Sequence, residues 1–256
     1  WELRENPASD WEFCPADPRT YEVQFDLYRD ALEAMPYGKY LHVGGDEITA
    51  IGIDERCRAT GKSAFELQMV WLEKVCDFAL AQGRTPIFWD DMPLKYAGLW
   101  QLILSDKSEE EVAREWDTRK LDEAINLFPK ECVYMRWLYE DATHPAHKRL
   151  LKWYEEKGLK VMGATAASAG DSPFLPRRNT RSAYIKGFSE LVAENHLEGI
   201  LATAWDDGSP HLETVWRGFV AQGEFGWNPF ARDIEAFKEA HAQREFGFRP
   251  ETEYMQ

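Results

Sequence analysis

The sequence contains no apolar run long enough to cross a membrane, and it has few basic residues relative to its acidic ones. A membrane-spanning helix needs about 20 consecutive apolar residues, and no stretch of the 256 residues approaches that length. The 30 Lys and Arg residues are outnumbered by 45 Asp and Glu, which gives a net charge of −15. Because nucleic-acid backbones are negatively charged, this balance argues against a nucleic-acid partner. We therefore expect neither a membrane nor a nucleic acid as a partner.

Cysteine is also scarce, and its spacing does not indicate a metal site. Zinc-binding cysteines commonly occur as closely spaced pairs. Here the four cysteines lie far apart along the chain, at Cys14, Cys57, Cys76 and Cys132. The spacing predicts four ordinary thiols and no metal ligand among them. It does not indicate a cellular compartment, and nothing in the sequence specifies the oligomeric state.

Short apolar segments alternate with longer amphipathic ones along the whole chain. Strands are predicted at 39–43, 85–89, 131–137, 159–164 and 199–205. Helices are predicted near 18–35, 63–82, 107–127, 145–157, 178–196, 212–224 and 229–245. This alternation predicts an α/β fold in which helical crossovers connect parallel strands. The strands are almost continuously apolar, which is typical of strands covered on both faces.

Several helix starts carry capping signals. Asp17 stands before Pro18, and Asn228 stands before Pro229, so each pair offers a side-chain cap and a first-turn proline. Ser63 with a glutamate three residues later predicts a capping box at the start of the second long helix.

Acidic and aromatic residues follow most of the predicted strands. The first strand leads into GGDE at 44–47, the second into WDD at 89–91, the third into WLYE at 137–140 and the last into WDD at 205–207. In parallel α/β folds, ligands bind at the carboxyl ends of the strands. The recurrence of carboxylates and tryptophans at these positions predicts a ligand site there.

The stretch HVGGDE at 42–47 carries the most specific chemistry. If strand alternation continues through it, His42, Gly44 and Asp46 share one face. The two glycines leave room for a ligand and permit the turn that directs Glu47. Two adjacent carboxylates at such a site can take different protonation states and different roles. We expect His42 to be a hydrogen-bonded supporting residue rather than the catalytic base.

HVGGDE resembles the His-x-Gly-Gly-Asp-Glu motif of glycoside hydrolase family 20, the β-N-acetylhexosaminidases. The segments 13–32, 83–92 and 199–210 are similar to other parts of this family, and 83–92 resembles its divergent hexosaminidase D-like branch. The resemblance covers roughly residues 11–246 and implies a (β/α)₈ TIM barrel. It also implies that residues 1–256 are the C-terminal part of a single catalytic domain. On this reading the chain carries the last five strand-helix units, and the upstream strands are absent from it.

The resemblance implies a retaining exo-β-N-acetylhexosaminidase that acts on N-acetylhexosamine-containing glycans without a cofactor or a metal. In this mechanism the substrate's own acetamido oxygen attacks the anomeric carbon and forms an oxazolinium intermediate. By the same resemblance, Asp46 orients the acetamido group. Glu47 protonates the leaving oxygen and then deprotonates the incoming water.

The resemblance also assigns substrate-binding residues. Trp89 and Trp205 match tryptophans that wall the acetamido pocket and the sugar face. Asp207 would hold sugar hydroxyls in place of the family's usual glutamate. The family's acetamido-binding tyrosine is missing from GATAASAGDSPF at 163–174, so Tyr139 is the predicted substitute. The complete predicted set of substrate-binding residues is His42, Trp89, Trp137, Tyr139, Trp205 and Asp207.

Two other functions remain open at this point. The acidic residues at the strand ends are oxygen ligands that suit a divalent cation, which would make the protein a metal-dependent barrel hydrolase; those residues are Asp46, Glu47, Asp90, Asp91 and Asp207. A non-catalytic sugar-binding protein is the other alternative, although it would have no need for a proton donor.

Overall fold

The computed structural model describes residues 2–168, 178–205 and 212–247, without the side chains of residues 178, 179 and 212–214. All five predicted strands are present, and no strand end differs from its predicted position by more than two residues. The strands are β1 (Tyr40–Gly44), β2 (Thr85–Trp89), β3 (Val133–Trp137), β4 (Lys160–Ala166) and β5 (Ile200–Thr203).

Helices follow every strand among the described residues. They are α1 (Pro18–Ala34), α2 (Glu55–Ala59), α3 (Ala64–Ala81), α4 (Asp91–Ala97), α5 (Trp100–Ile103), α6 (Glu109–Glu115), α7 (Arg119–Glu123), α8 (Pro145–Glu156), α9 (Arg178–Glu194), α10 (Leu212–Trp227) and α11 (Ile234–Phe246). The single helix predicted at 107–127 is wrong, because α6 ends at the extended backbone of Trp116. The rest of that segment forms α7 and a 3₁₀ turn at Ile125–Leu127.

Two of the three predicted caps are confirmed. The Asp17 side chain accepts a hydrogen bond from the backbone of Arg19 at the start of α1, and Ser63 forms the predicted capping box at the start of α3. The prediction for Asn228 is wrong. Its side chain accepts from the backbone of Phe230 in a turn, and α11 begins only after Asp233, whose side chain provides the cap.

The chain divides into two compact units. The first contains residues 1–135 and 154–160, and the second contains residues 136–153 and 161–256. In the first unit β1 pairs with β2 and β2 pairs with β3, all in parallel. In the second unit β4 pairs with β5, also in parallel, from Gly163 opposite Ile200 to Ala166 opposite Thr203. The predicted parallel α/β architecture is therefore present in each unit.

Each unit has its own apolar core. In the first unit, Phe88 of β2 packs edge to face against Tyr134 of β3, with ring centroids 6.2 Å apart, and α3 contributes buried residues such as Leu72. In the second unit, helices α9, α10 and α11 share a buried cluster of Ile185, Ala221, Phe225 and Phe237. Within the described ranges, no helix is both long enough and apolar enough to cross a membrane.

Candidate active site

The Gly-Gly-Asp-Glu stretch begins where β1 loses its regular geometry. β1 ends at Gly44, and its pairing with β2 is irregular between His42 and Gly44. Gly44 has φ 79° and Gly45 has φ 98°, a region that residues with a Cβ atom rarely adopt. The strand alternation therefore stops before Asp46. The prediction that His42, Gly44 and Asp46 share one strand face is wrong for this reason.

Gly45 is fixed by close packing as well as by its backbone angle. A Cβ atom at this position would lie 2.4 Å from Cε2 of Phe88 and 2.9 Å from Cζ3 of Trp71. The Nε2 group of Gln68 donates a hydrogen bond of 3.1 Å to the carbonyl oxygen of Gly45. These contacts hold the turn that brings the next two residues to the surface of the unit.

Glu47 has a left-handed backbone, with φ 49°. Such a conformation is uncommon for a residue other than glycine and is often found at functional sites. The N–H of Glu47 donates to Oδ2 of Asp91 at 3.0 Å, and Nζ of Lys95 lies 2.7 Å from the same oxygen. Asp91 is completely buried, whereas the Glu47 side chain is exposed. A buried, charge-paired anchor therefore fixes the backbone of an accessible carboxylate.

Asp46 precedes Glu47 and is also exposed. The surrounding protein partly desolvates its carboxylate, which raises the pKa of Asp46; the negative charges of Asp91 and Glu47 add to the rise, and Lys95 opposes it. Solvent screening limits the size of this effect on an exposed side chain.

His42 contacts Trp89 across the neighbouring strands. The two ring centroids are 4.6 Å apart, at an interplanar angle of 47°. Burial lowers the pKa of His42 to about 4, so the ring is neutral near pH 7. Because Nδ1 accepts a hydrogen bond from the N–H of Gly44, the proton resides on Nε2. That buried nitrogen has no hydrogen-bond partner among the residues that the structure describes.

The loop after Glu47 is held by a glutamate from the N-terminal segment. Oε1 of Glu12 accepts hydrogen bonds from the backbone N–H of Thr49 at 2.6 Å and of Ala50 at 2.9 Å. Burial acts to raise the pKa of Glu12, but the hydrogen bonds from Thr49 and Ala50 outweigh it, and the net effect lowers the pKa. Glu12 therefore holds the loop in its ionised form.

The two aspartates after β2 are used differently from Asp46 and Glu47. Oδ2 of Asp90 accepts a hydrogen bond of 2.9 Å from the hydroxyl of Tyr154, and both Asp90 and Asp91 are completely buried. Across residues 2–168, 178–205 and 212–247, the acidic side chains at the strand ends form no cluster with metal-ligand spacing.

The aromatic candidates of the second unit contact one another. The rings of Trp137 and Tyr139 have centroids 5.1 Å apart, and Nε1 of Trp205 donates to the hydroxyl of Tyr139 at 2.9 Å. The guanidinium of Arg181 donates to the carbonyl oxygen of Tyr139. Trp205 is half exposed, so part of its flat apolar face is open to a ligand. Asp207 lies outside the described residues.

Residues 3–229 match the family described as "Glycosyl hydrolase family 20, catalytic domain". The chain belongs to glycosyl hydrolase family 20. No curated protein sequence matches it.

Solved structures show the fold of this family 20 chain. One is a β-N-acetylhexosaminidase from Bacteroides fragilis NCTC 9343, with a TM-score of 0.63 and 19% identity, covering 96% of this chain and 48% of that chain. Another is described as a glycoside hydrolase family 20 β-N-acetylglucosaminidase, with a TM-score of 0.56 and 16% identity, covering 94% of this chain and 48% of that one. The architecture is that of a partial (β/α)₈ TIM barrel, as predicted. The chain spans about half the length of these two structures.

Two supporting residues of this family 20 chain, Lys95 and Glu12, were not predicted from the sequence. The pairing of Lys95 with Asp91 was predictable, because Lys95 lies four residues after Asp91 and this spacing places both on one face of a helix. The role of Glu12 was not predictable, because the backbone groups that it binds, in the loop after Glu47, lie 37 and 38 positions later in the chain.

Proposed function

We propose that this family 20 chain acts as a retaining exo-β-N-acetylhexosaminidase, which removes terminal N-acetylglucosamine or N-acetylgalactosamine from glycans. The observation that carries the proposal is the left-handed backbone of Glu47, anchored to buried Asp91. It supports a specific role for Glu47 because a strained backbone persists only where its surroundings fix it. The names of the two structurally similar proteins support the choice of substrate class.

The first step uses both exposed carboxylates. The acetamido carbonyl oxygen of the substrate forms a bond to the anomeric carbon as the bond to the glycosidic oxygen breaks. Glu47, as a carboxylic acid, donates its proton to the departing oxygen. Asp46, as a carboxylate, accepts a hydrogen bond from the acetamido N–H and stabilises the positive charge of the oxazolinium ring.

The second step restores the starting state. The Glu47 carboxylate takes a proton from a water molecule, whose oxygen bonds to the anomeric carbon and opens the oxazolinium ring. The two successive inversions at that carbon give net retention of configuration. Neither step requires a cofactor.

Aromatic side chains supply the sugar contacts in this proposal. Trp89 provides an apolar wall, and neutral His42 supports it through the contact between their rings. Trp137 and Trp205 offer further flat faces for the apolar side of a pyranose ring. Tyr139 is the proposed partner of the acetamido oxygen, and Asp207 the proposed partner of sugar hydroxyls.

The test compares two chromogenic substrates that differ only in the acetamido group. We expect hydrolysis of nitrophenyl N-acetyl-β-glucosaminide and no measurable hydrolysis of the matched β-glucoside, because only the first carries the internal nucleophile. We expect Glu47→Gln to lower kcat on substrates with poor leaving groups by about 10³-fold while retaining sugar binding. Equal turnover of both sugars would contradict substrate assistance. Sugar binding without turnover by the wild-type protein would instead favour the non-catalytic alternative.

A further inference from the structure

Two cysteines from distant parts of the sequence meet in the first unit beside a carboxylate. The sulfur atoms of Cys14 and Cys57 are 3.4 Å apart, and Oε2 of Glu5 lies 3.1 Å from Sγ of Cys57. All three residues are buried, with at most 1% exposure. One ligand atom from each lies within 4.8 Å of the other two. The spacing along the chain had predicted unrelated thiols.

Glu5 is oriented so that one oxygen is directed at the sulfur atoms. Its Oε1 accepts hydrogen bonds from the backbone N–H of Ile53 at 2.7 Å and of Asp54 at 2.9 Å. These bonds fix the carboxylate and leave Oε2 beside Cys57. A buried carboxylate is expensive to desolvate unless cationic or hydrogen-bonding partners compensate it. Without a metal, the Cys57 thiol donates a hydrogen bond to Oε2; a cation bound between Oε2 and the two sulfurs would take the place of the thiol proton.

The donor set and its dimensions suit zinc. Two sulfurs with oxygen are ligands that Zn²⁺ accepts, whereas Mg²⁺ and Ca²⁺ prefer oxygen alone. Zinc bonds of about 2.3 Å to sulfur and about 2.0–2.2 Å to oxygen place tetrahedral ligand atoms roughly 3.3–3.8 Å apart. The separation of 3.4 Å between the two sulfurs lies within that range, and the separation of 3.1 Å between Sγ of Cys57 and Oε2 of Glu5 lies just below it. Asp54 is not a member of this group: its Oδ1 lies 3.6 Å from Sγ of Cys14 but accepts hydrogen bonds from the backbone N–H and from Nε of Arg56.

We propose that Glu5, Cys14 and Cys57 form a structural zinc site. The site would join the N-terminal segment, which supplies Glu5 and Cys14, to the start of α2, which supplies Cys57. Glu5 also binds the backbone at the end of the loop that follows Glu47. The metal would therefore stabilise that loop and take no part in the reaction itself.

The first unit contains a second pair of cysteines that serves as a control. Cys76 and Cys132 are both buried, and their side chains lie close enough to interact. This pair is not part of any group with metal-ligand spacing among the described residues. Both pairs of cysteines therefore consist of two adjacent buried thiols. The pair of Cys14 and Cys57 differs in having the Glu5 carboxylate beside it.

The test measures zinc bound to the purified protein after incubation with equimolar zinc and gel filtration. We expect about one zinc per chain in the wild type, in Cys76→Ser and in Cys132→Ser, and less than about a tenth of that in Cys14→Ser, Cys57→Ser and Glu5→Gln. Glu5→Gln is the sharpest variant, because its amide oxygen can still accept from Ile53 and Asp54 while its NH₂ group faces the sulfurs. Circular dichroism verifies that each variant is folded.

Cobalt substitution provides a second readout that does not depend on any variant. Replacing zinc by Co²⁺ in the wild type should produce a thiolate-to-metal charge-transfer band and the visible bands of a tetrahedral ion. The proposal is overturned if the wild type retains no zinc, or if Glu5→Gln binds as much as the wild type. It is also overturned if mass spectrometry of unreduced peptides shows a disulfide between Cys14 and Cys57 in the zinc-treated protein.

Discussion

The neighbouring parallel strands β1 and β2 both lead into two adjacent acidic residues, and the structure uses the two pairs in opposite ways. After β1, the side chains of Asp46 and Glu47 are exposed. After β2, Asp90 and Asp91 are completely buried. The buried pair binds protein groups: Asp90 binds Tyr154, and Asp91 binds the backbone of Glu47 and the Lys95 side chain.

The backbone causes this difference. After β1, two glycines with positive φ and a left-handed Glu47 turn the chain outward. After β2, the chain enters α4 directly, with Asp91 as its first residue, so both carboxylates stay inside the unit. The second pair therefore supports the first, because Asp91 holds the Glu47 backbone. Of these two pairs, the one after β1 is accessible to a ligand, and the one after β2 is enclosed by protein.

The largest contrast between the two pairs should be in catalysis. We expect Asp46→Asn to lower kcat/KM for an acetamido sugar by about 10²-fold or more, because the amide cannot stabilise the oxazolinium charge. Asp90→Asn should change kcat/KM by less than about threefold per folded molecule. Steady-state kinetics, corrected for the folded fraction, make the comparison. A loss of similar size in both variants would mean that the buried pair also takes part in the reaction.

Gly44 and Gly45, which distinguish the end of β1 from the end of β2, should differ in their tolerance of a side chain. Gly45→Ala places a Cβ 2.4 Å from Phe88, and we expect it to lower the free energy of unfolding by about 2–3 kcal/mol. Gly44→Ala is the matched control, because its φ is also positive but nothing lies within 4 Å of its Cβ; backbone strain alone should cost about 1 kcal/mol. Urea denaturation measures both values. Equal losses would show that backbone strain, not packing, fixes the turn.

The contrast between the strand ends also explains what could be predicted from the sequence. The strands and long helices were predicted because their patterns are local, and the HVGGDE motif indicated Asp46 and Glu47. The burial of Asp90 was not predictable, because its partner Tyr154 lies 64 positions away. The contact between Cys14 and Cys57, 43 positions apart, was missed for the same reason. Local patterns do not specify which distant residues meet.

A smaller effect should separate the contribution of Asp90 to stability from the proposed catalytic role of Asp46. Tyr154→Phe removes a hydrogen bond to the buried Asp90 carboxylate, and we expect it to lower the free energy of unfolding by about 1–2 kcal/mol. The kcat/KM of the folded enzyme should not change, because Tyr154 binds Asp90 rather than Asp46 or Glu47. Thermal or urea denaturation measures the first effect, and kinetics below the transition measure the second. A large fall in kcat with unaltered stability would contradict the division between the two pairs.

The smallest effect should be a shift in the pH dependence of kcat/KM. It involves both strand ends, because Lys95 pairs with Asp91 after β2 and also affects the pKa of Asp46 after β1. The positive charge of Lys95 lowers the pKa of Asp46 and so opposes the rise caused by desolvation and by the charges of Asp91 and Glu47. Lys95→Met should therefore raise the pKa of Asp46. Because Asp46 acts as a carboxylate in the proposed mechanism, the acidic limb of kcat/KM should move to higher pH. Lys95→Arg keeps the positive charge and should leave the limb close to its wild-type position. A limb that moves to lower pH in Lys95→Met, or that moves equally in both variants, would mean that Asp46 does not set it.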